Sequence, residues 1–254
     1  MPLTGTVDQA IHVAKVNEYP TQTGKLSPVD RLLLIRLVYA FGLVIGGFFC
    51  LPWDTAISGF VKNHGNFDWK PIQLAEAFAH GWGVALILMG VVWLTPRKLP
   101  NLPTLLCCAY GSGILANLGK VLLARVRPHS FDLTRPITES FVSWFPFFTG
   151  GYAIVPHGKL SAWQAFPSAH AATAVGLALG LTAIYPRGRV YFSILAVLAC
   201  LQRVESMSHF ASDVCWGAAV GMVVASITLS DRLWGSWFTA WNTHLQTRWQ
   251  KFLD

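Results

Sequence analysis

Six apolar runs, at residues 32–51, 72–94, 102–124, 169–185, 190–207 and 210–229, occupy most of the chain between Leu32 and Leu229. A helix needs about 20 mostly apolar residues to cross a bilayer, so each run reads as a membrane span. In the fifth, the uninterrupted apolar part ends at Leu201. Charged residues make up 12% of the chain, against about 25% in an ordinary soluble domain. Together with a mean hydropathy of +0.46, this points to lipid as the solvent. The net charge of +7 could suggest a nucleic-acid partner, but the cations form no single stripe. Cys50, Cys107, Cys108, Cys200 and Cys215 all lie within apolar runs without metal-ligand spacing and read as small buried hydrophobes. The polar first 30 residues lack the short apolar core of a cleavable signal peptide.

Six spans place both termini on one side. Residues 95–100 and 185–190 fall on that side and carry two cations each, joined by Lys15, Lys25 and Arg31 before the spans and Arg232, Arg248 and Lys251 after them. Cytoplasmic loops are enriched in Lys and Arg, so this side is expected to be cytoplasmic. The 52–71 connection, the long 128–167 connection and the 203–210 turn then face the opposite way. The 128–167 connection is rich in aromatic residues, including Phe131, Trp144, Tyr152 and Trp163. It is expected either to lie among headgroups or to pack as a cap. Large apolar residues at helical spacing in 233–253 predict an amphipathic interfacial helix.

Ionisable groups at membrane depth are costly, which makes them candidates for function. They gather at three places. The third run ends in KVLLARVRP, and a continuous helix would put Lys120 and Arg127 on one face about 10 Å apart. The fourth opens with PSAH, where Ser168 suits an N-cap beside free backbone N–H groups and His170 lies in the first turn. Between the fifth and sixth, RVESMSHFASDV brings Arg203, His209 and Asp213 together, with His209 and Asp213 one helical turn apart. The predicted topology puts all three clusters on the extracytoplasmic side. Three cations can neutralise phosphoryl oxygens, one histidine can attack phosphorus with Asp213 holding its other nitrogen, and a second can move the proton.

The pattern K-x6-RP, PSxH, R-x5-H-x3-D resembles the type-2 phosphatidic acid phosphatase superfamily, and the resemblance covers residues 31–230. It implies an all-α, integral membrane bundle of six transmembrane helices. A phosphatase domain at 31–230 would lie between an N-terminal cytoplasmic segment (1–30) and a cytoplasmic amphipathic tail (231–254). It also implies a lipid phosphate or diphosphate substrate, hydrolysis at the extracytoplasmic face, and no cofactor or metal. By position, Lys120, Arg127, Ser168 and Arg203 would bind phosphate, His170 would be the acid and base, His209 the nucleophile, and Asp213 its partner. Candidate substrates are phosphatidic acid, phosphatidylglycerol phosphate, undecaprenyl diphosphate and a phosphorylated lipid A. A lipid-to-lipid phosphotransferase on the same scaffold and a non-catalytic anion transporter are the alternatives. The short loops suggest a bacterial inner membrane.

Ala169 stands where the motif usually has glycine, and Gln202 where serine usually precedes the arginine. Arg125 and His129, flanking the first motif, are expected to face headgroups or solvent. Glu76 and His80 should pair with each other or with a neighbouring helix, a role behind the site being the alternative. Glu205 should pair with a nearby cation or orient an arginine.

Overall fold

A computed structural model describes residues 28–64, 69–151 and 160–253. Lys15, Lys25, Tyr152 and the rest of the segment before residue 28 lie outside the described residues, as do the side chains of Arg248 and Lys251.

Helix α1 (Pro28–Cys50) runs through a 3-10 turn at Leu51–Trp53 into α2 (Asp54–His64), so most of the expected 52–71 connection is helical. The second run is broken. Helix α3 (Lys70–Ala75), a turn at Glu76–Phe78 and α4 (Gly81–Leu94) meet at a 73° bend. Two residues, Ala79 and His80, carry that break, and His80 is extended there (φ −84°, ψ 137°). The third run forms α5 (Leu102–Leu106), a π-helical turn (Cys107–Gly111) and α6 (Ser112–Leu122). Helices α7 (Ala169–Ile184), α8 (Arg189–Glu205), α9 (Ala211–Leu229) and α10 (Gly235–Leu253) follow.

Among the described residues, three helices are long and apolar enough to cross a membrane, or four if the bent pair is one span. Helices α7 and α8, with 16 and 17 residues, reach only about 25 Å at 1.5 Å per residue, short of a bilayer core of about 30 Å. The fold is mostly helical, but not purely so. Strands β1 (Leu123–Arg125) and β2 (Phe141–Trp144) pair antiparallel with Leu123 opposite Trp144 and a bulge between Ala124 and Arg125.

Helix α7 forms the centre, with α6, α8 and α9 packed around it and α1 laid along α9. The apolar core contains Val84 and Leu88 of α4, Leu105 of α5, Leu177 and Leu181 of α7, and Ala196 and Ala199 of α8. Small residues draw the helices close, as expected where lipid gives no hydrophobic drive between them. A side-chain carbon on Gly176 would strike the carbonyl of Cys108, one on Gly217 that of Ser168, and one on Gly221 that of Ala172. These contacts bring the backbone of α9 against the start of α7.

Candidate active site

Each motif reaches the site through a different device. The first does not form the continuous helix expected for Lys120 and Arg127. Helix α6 ends at Leu122, residues 123–125 enter strand β1, and beyond it Val126 N–H donates to Ser140 O (2.8 Å) and Arg127 N–H to Ala162 O (2.7 Å). Pro128 also disfavours helix at the residue before it, and Arg127 is extended (φ −73°, ψ 151°). Lys120 therefore comes from the last turn of a helix and Arg127 from extended chain beyond it. Nε of Arg127 is buried with no hydrogen-bond partner in the protein. Burial, then the nearby charge of Arg203, lowers the pKa of Arg127 from the ordinary arginine value.

The second motif folds as the sequence predicts. Ser168 is the N-cap of α7, and its Oγ accepts from Ala171 N–H at 3.3 Å. As an acceptor in that bond, the hydroxyl keeps its own proton to donate. Ala169 is an ordinary first helical residue without positive φ, so the helix has no need of glycine there. His170 lines a cavity of about 250 Å³ with His80, Tyr110, Asn117 and Thr173; the His80 and His170 rings lie 6.0 Å apart.

The third motif straddles a helix end. Ser208 N–H bonds Arg203 O (3.2 Å) and Met207 N–H bonds Val204 O (3.0 Å), with Met207 left-handed at φ 55°. This is a Schellman stop, with methionine where glycine is usual. It turns the chain so that His209 faces inward, only 2% exposed. Its Nδ1 lies 2.7 Å from the carbonyl oxygen of Ala165. A carbonyl only accepts, so Nδ1 carries the proton and Nε2 presents a bare lone pair. Burial, then the charge of Arg127, pushes the His209 pKa well below the usual histidine value; Lys120 and His170 act the same way. The imidazole is thereby kept neutral and nucleophilic.

The expected hydrogen bond from Asp213 to His209 is not the one formed. Asp213 Oδ1 takes Arg125 Nη1 (2.5 Å) and Oδ2 takes Phe210 N–H (3.0 Å), while the Ala165 carbonyl holds the imidazole. Asp213 is the third residue of α9, and from there its side chain reaches back to the N-cap backbone more readily than sideways to the ring. Its own backbone carbonyl accepts from Ser168 N–H (3.1 Å), which ties the second motif to the third.

Arg203, 6% exposed, lies against Glu76 Oε1 (2.7 Å) and donates from Nε to Gln202 Oε1 (2.5 Å). Gln202 in turn donates to Glu76 Oε2 (3.4 Å). Glu76 thus pairs with a neighbouring helix rather than with His80, and Gln202 has a defined role in holding the arginine.

Arg125 overturns its reading most clearly. The residue expected to face headgroups or solvent is fully buried. It donates to Ser140 Oγ (3.1 Å), Ser212 Oγ (2.8 Å), Asp213 Oδ1 (2.5 Å) and Asp54 Oδ2 (2.8 Å). Its guanidinium carbon lies 4.4 Å from the ring centres of both Phe141 and Phe210. Strand β1 turns this side chain inward, where a helix would have rotated it elsewhere. Asp54 was not singled out in the sequence at all. The signal was a carboxylate directly after the first apolar run. His129, by contrast, is an exposed loop residue whose ring bonds Ser130 Oγ (2.7 Å).

The seven residues expected to form the site do come together. Arg127, Lys120 and His170 act electrostatically on His209, Arg203 and Asp213 on Arg127, and Ser168 bonds Asp213. A bare imidazole nitrogen beside the half-buried Arg127 and Lys120 is an arrangement that can take an anion open to attack, as phosphoryl transfer requires.

Residues 102–237 match the sequence model of the PAP2 superfamily. The chain belongs to that superfamily, which is one of phosphatases. A lipid A 1-phosphatase of Rhizobium etli is 31% identical over 199 residues, 77% of this chain and 72% of that protein. A lipid A 1-phosphatase of Rhizobium johnstonii is 31% identical over 117 residues, 46% of this chain and 42% of that protein. No solved structure matches the chain.

Proposed function

We propose that this enzyme hydrolyses a lipid phosphate monoester or diphosphate through a phosphohistidine. Nε2 of His209 attacks phosphorus, the bond to the leaving oxygen breaks, and that oxygen takes a proton from His170. His170 then removes a proton from water, which attacks phosphorus, breaks the N–P bond and releases inorganic phosphate. Lys120, Arg127, Ser168 and Arg203 hold the phosphoryl oxygens. The observation that carries this reading is the bond from His209 Nδ1 to the Ala165 carbonyl, which leaves Nε2 free beside Arg127. The partnerless Nε of Arg127 supports an anionic ligand.

A lipid substrate is supported by an apolar groove of about 640 Å³ between α1, α6 and α9. Two of its lining residues, Gly119 and Pro167, directly precede Lys120 and Ser168. The names of the relatives put lipid A bearing a 1-phosphate first among substrates to try. The enzyme has six spans with both termini cytoplasmic, and its site faces the periplasmic side of a bacterial inner membrane. The distribution of Lys and Arg supports that orientation.

Purified enzyme in detergent with EDTA should release phosphate from lipid A 1-phosphate or another of the candidate lipids, and His209→Ala should not. Transfer of the phosphoryl group to an added second lipid, with no inorganic phosphate released, would replace the hydrolase with a phosphotransferase. Neither release nor transfer by folded protein would remove the enzymatic reading.

A further inference from the structure

Asp54 lies at the start of α2, outside the residues 102–237 that match the family. It is nonetheless fully buried and joined to the third motif. Asp54 Oδ2 accepts from Arg125 Nη2 (2.8 Å), Oδ1 accepts from Ser212 N–H (3.0 Å), and the Ser212 hydroxyl donates to Oδ2. Arg125, Asp54, Ser212 and Asp213 are all 0% exposed. A buried ion cluster of this kind contributes little net stability relative to an apolar replacement; where it earns retention, it is by specifying one geometry.

The geometry it specifies is that of His209. Two restraints hold that imidazole, and both pass through Arg125. Its backbone carbonyl accepts from Ala165 N–H (3.0 Å), which fixes the carbonyl that holds Nδ1. Its side chain grips Asp213, whose other oxygen takes Phe210 N–H, the peptide following His209. Asp54 is the second carboxylate on this shared post. Without it, the guanidinium has only Asp213 to neutralise it, and the pull on the 209–213 turn changes.

We propose that Asp54 is a positioning residue for phosphoryl transfer, acting through Arg125 to aim His209, so that the start of α2 takes part in setting the catalytic geometry. This rests on the proposed phosphohistidine reaction. Misplacement of a reacting group by about 1 Å costs on the order of 100-fold in rate, whereas Lys120, Arg127 and Ser168 would still bind phosphate. Asp54→Asn should therefore lower kcat about 10- to 100-fold with KM within about threefold. Ser212→Ala, which keeps every charge, should give a smaller fall of the same kind.

The test uses the full chain purified in detergent. It records kcat, KM, the amount of acid-labile, base-stable phosphoenzyme after rapid quenching, and the folded fraction from thermal melting. A fall in kcat per folded molecule at constant KM, with slower phosphoenzyme formation in both variants, supports the proposal. Wild-type kcat per folded molecule in both variants overturns it, even if their melting temperatures fall, because the network would then be structural only. Should Asp54→Asn not fold, Ser212→Ala decides alone. A wild-type enzyme that forms no phosphohistidine overturns both this inference and the reaction it rests on, and that outcome is visible before any variant is made.

Discussion

Glu76 should oppose substrate binding, and replacing it with glutamine should tighten the site on phosphate. The carboxylate lies 2.7 Å from Arg203, whose side chain is nearly buried, while the Glu76 side chain is 41% exposed. A phosphoryl group needs the same guanidinium and must compete for it. Two unit charges at about 4 Å interact by roughly 4 kcal/mol at an effective dielectric near 20. Water at the half-exposed Glu76 screens this to about 1–2 kcal/mol, which corresponds to roughly 5- to 30-fold in affinity. Glu76→Gln keeps the shape and one acceptor while removing the charge. Inhibition of phosphate release by inorganic phosphate should therefore strengthen by about that factor, with the gap narrowing as salt rises. The ligand-free variant should melt lower, because Arg203 loses its counter-ion, and added phosphate should raise its melting temperature more than that of wild type. An unchanged or weakened inhibition constant for phosphate would mean that Glu76 holds Arg203 without competing for it, and the reasoning would be wrong.

Three further outcomes follow from the same geometry. The pKa of His209 is held well below its ordinary value by burial and by Arg127, so the unfolded chain takes up more protons than the folded one as pH falls below about 6.5. Stability should be full above that pH and drop on acidification, and thermal melting from pH 7 to pH 5 should show a shallower drop in His209→Gln. Met207 is left-handed at φ 55°, which costs a non-glycine residue about 1–2 kcal/mol. Met207→Gly should raise the unfolding free energy by up to about 1 kcal/mol with KM unchanged, and a lower melting temperature would refute the Schellman assignment. Ala169→Gly should leave kcat within about twofold and lower stability by about 0.5–1 kcal/mol, since the position is an ordinary helical one; a large gain in kcat would show that the glycine matters after all.

The sequence disclosed those parts of the site that rest on local rules. Ser168 caps α7 because a hydroxyl before a helical run does so wherever it occurs, and the fourth to sixth apolar runs become helices over nearly the predicted lengths. Long-range pairing was not legible. Residues 123–125 continue an apolar helical pattern, and only their pairing with 141–144, remote in sequence, makes them a strand. Misreading that strand misplaced both arginines: it set Arg127 on a helix face and Arg125 among headgroups or in solvent. The Asp213–His209 bond failed for a related reason. Helical spacing places the two residues one turn apart, but the helix begins after His209, where backbone N–H groups compete for the carboxylate. Asp54 and Arg125, 71 residues apart, meet through tertiary packing alone.

Where Gly217 and Gly221 lie against the chain at Ser168 and Ala172, two backbones touch with nothing between them. Such a seam offers no side chain to enlarge, shrink or recharge. The start of α7, with Ser168 and His170, is thereby seated directly on the backbone of α9, which carries Asp213. Arg127, by contrast, sits on extended chain hydrogen-bonded to Ala162 in the aromatic connection. One half of the cluster is set by helix packing and the other by the pairing of extended chain.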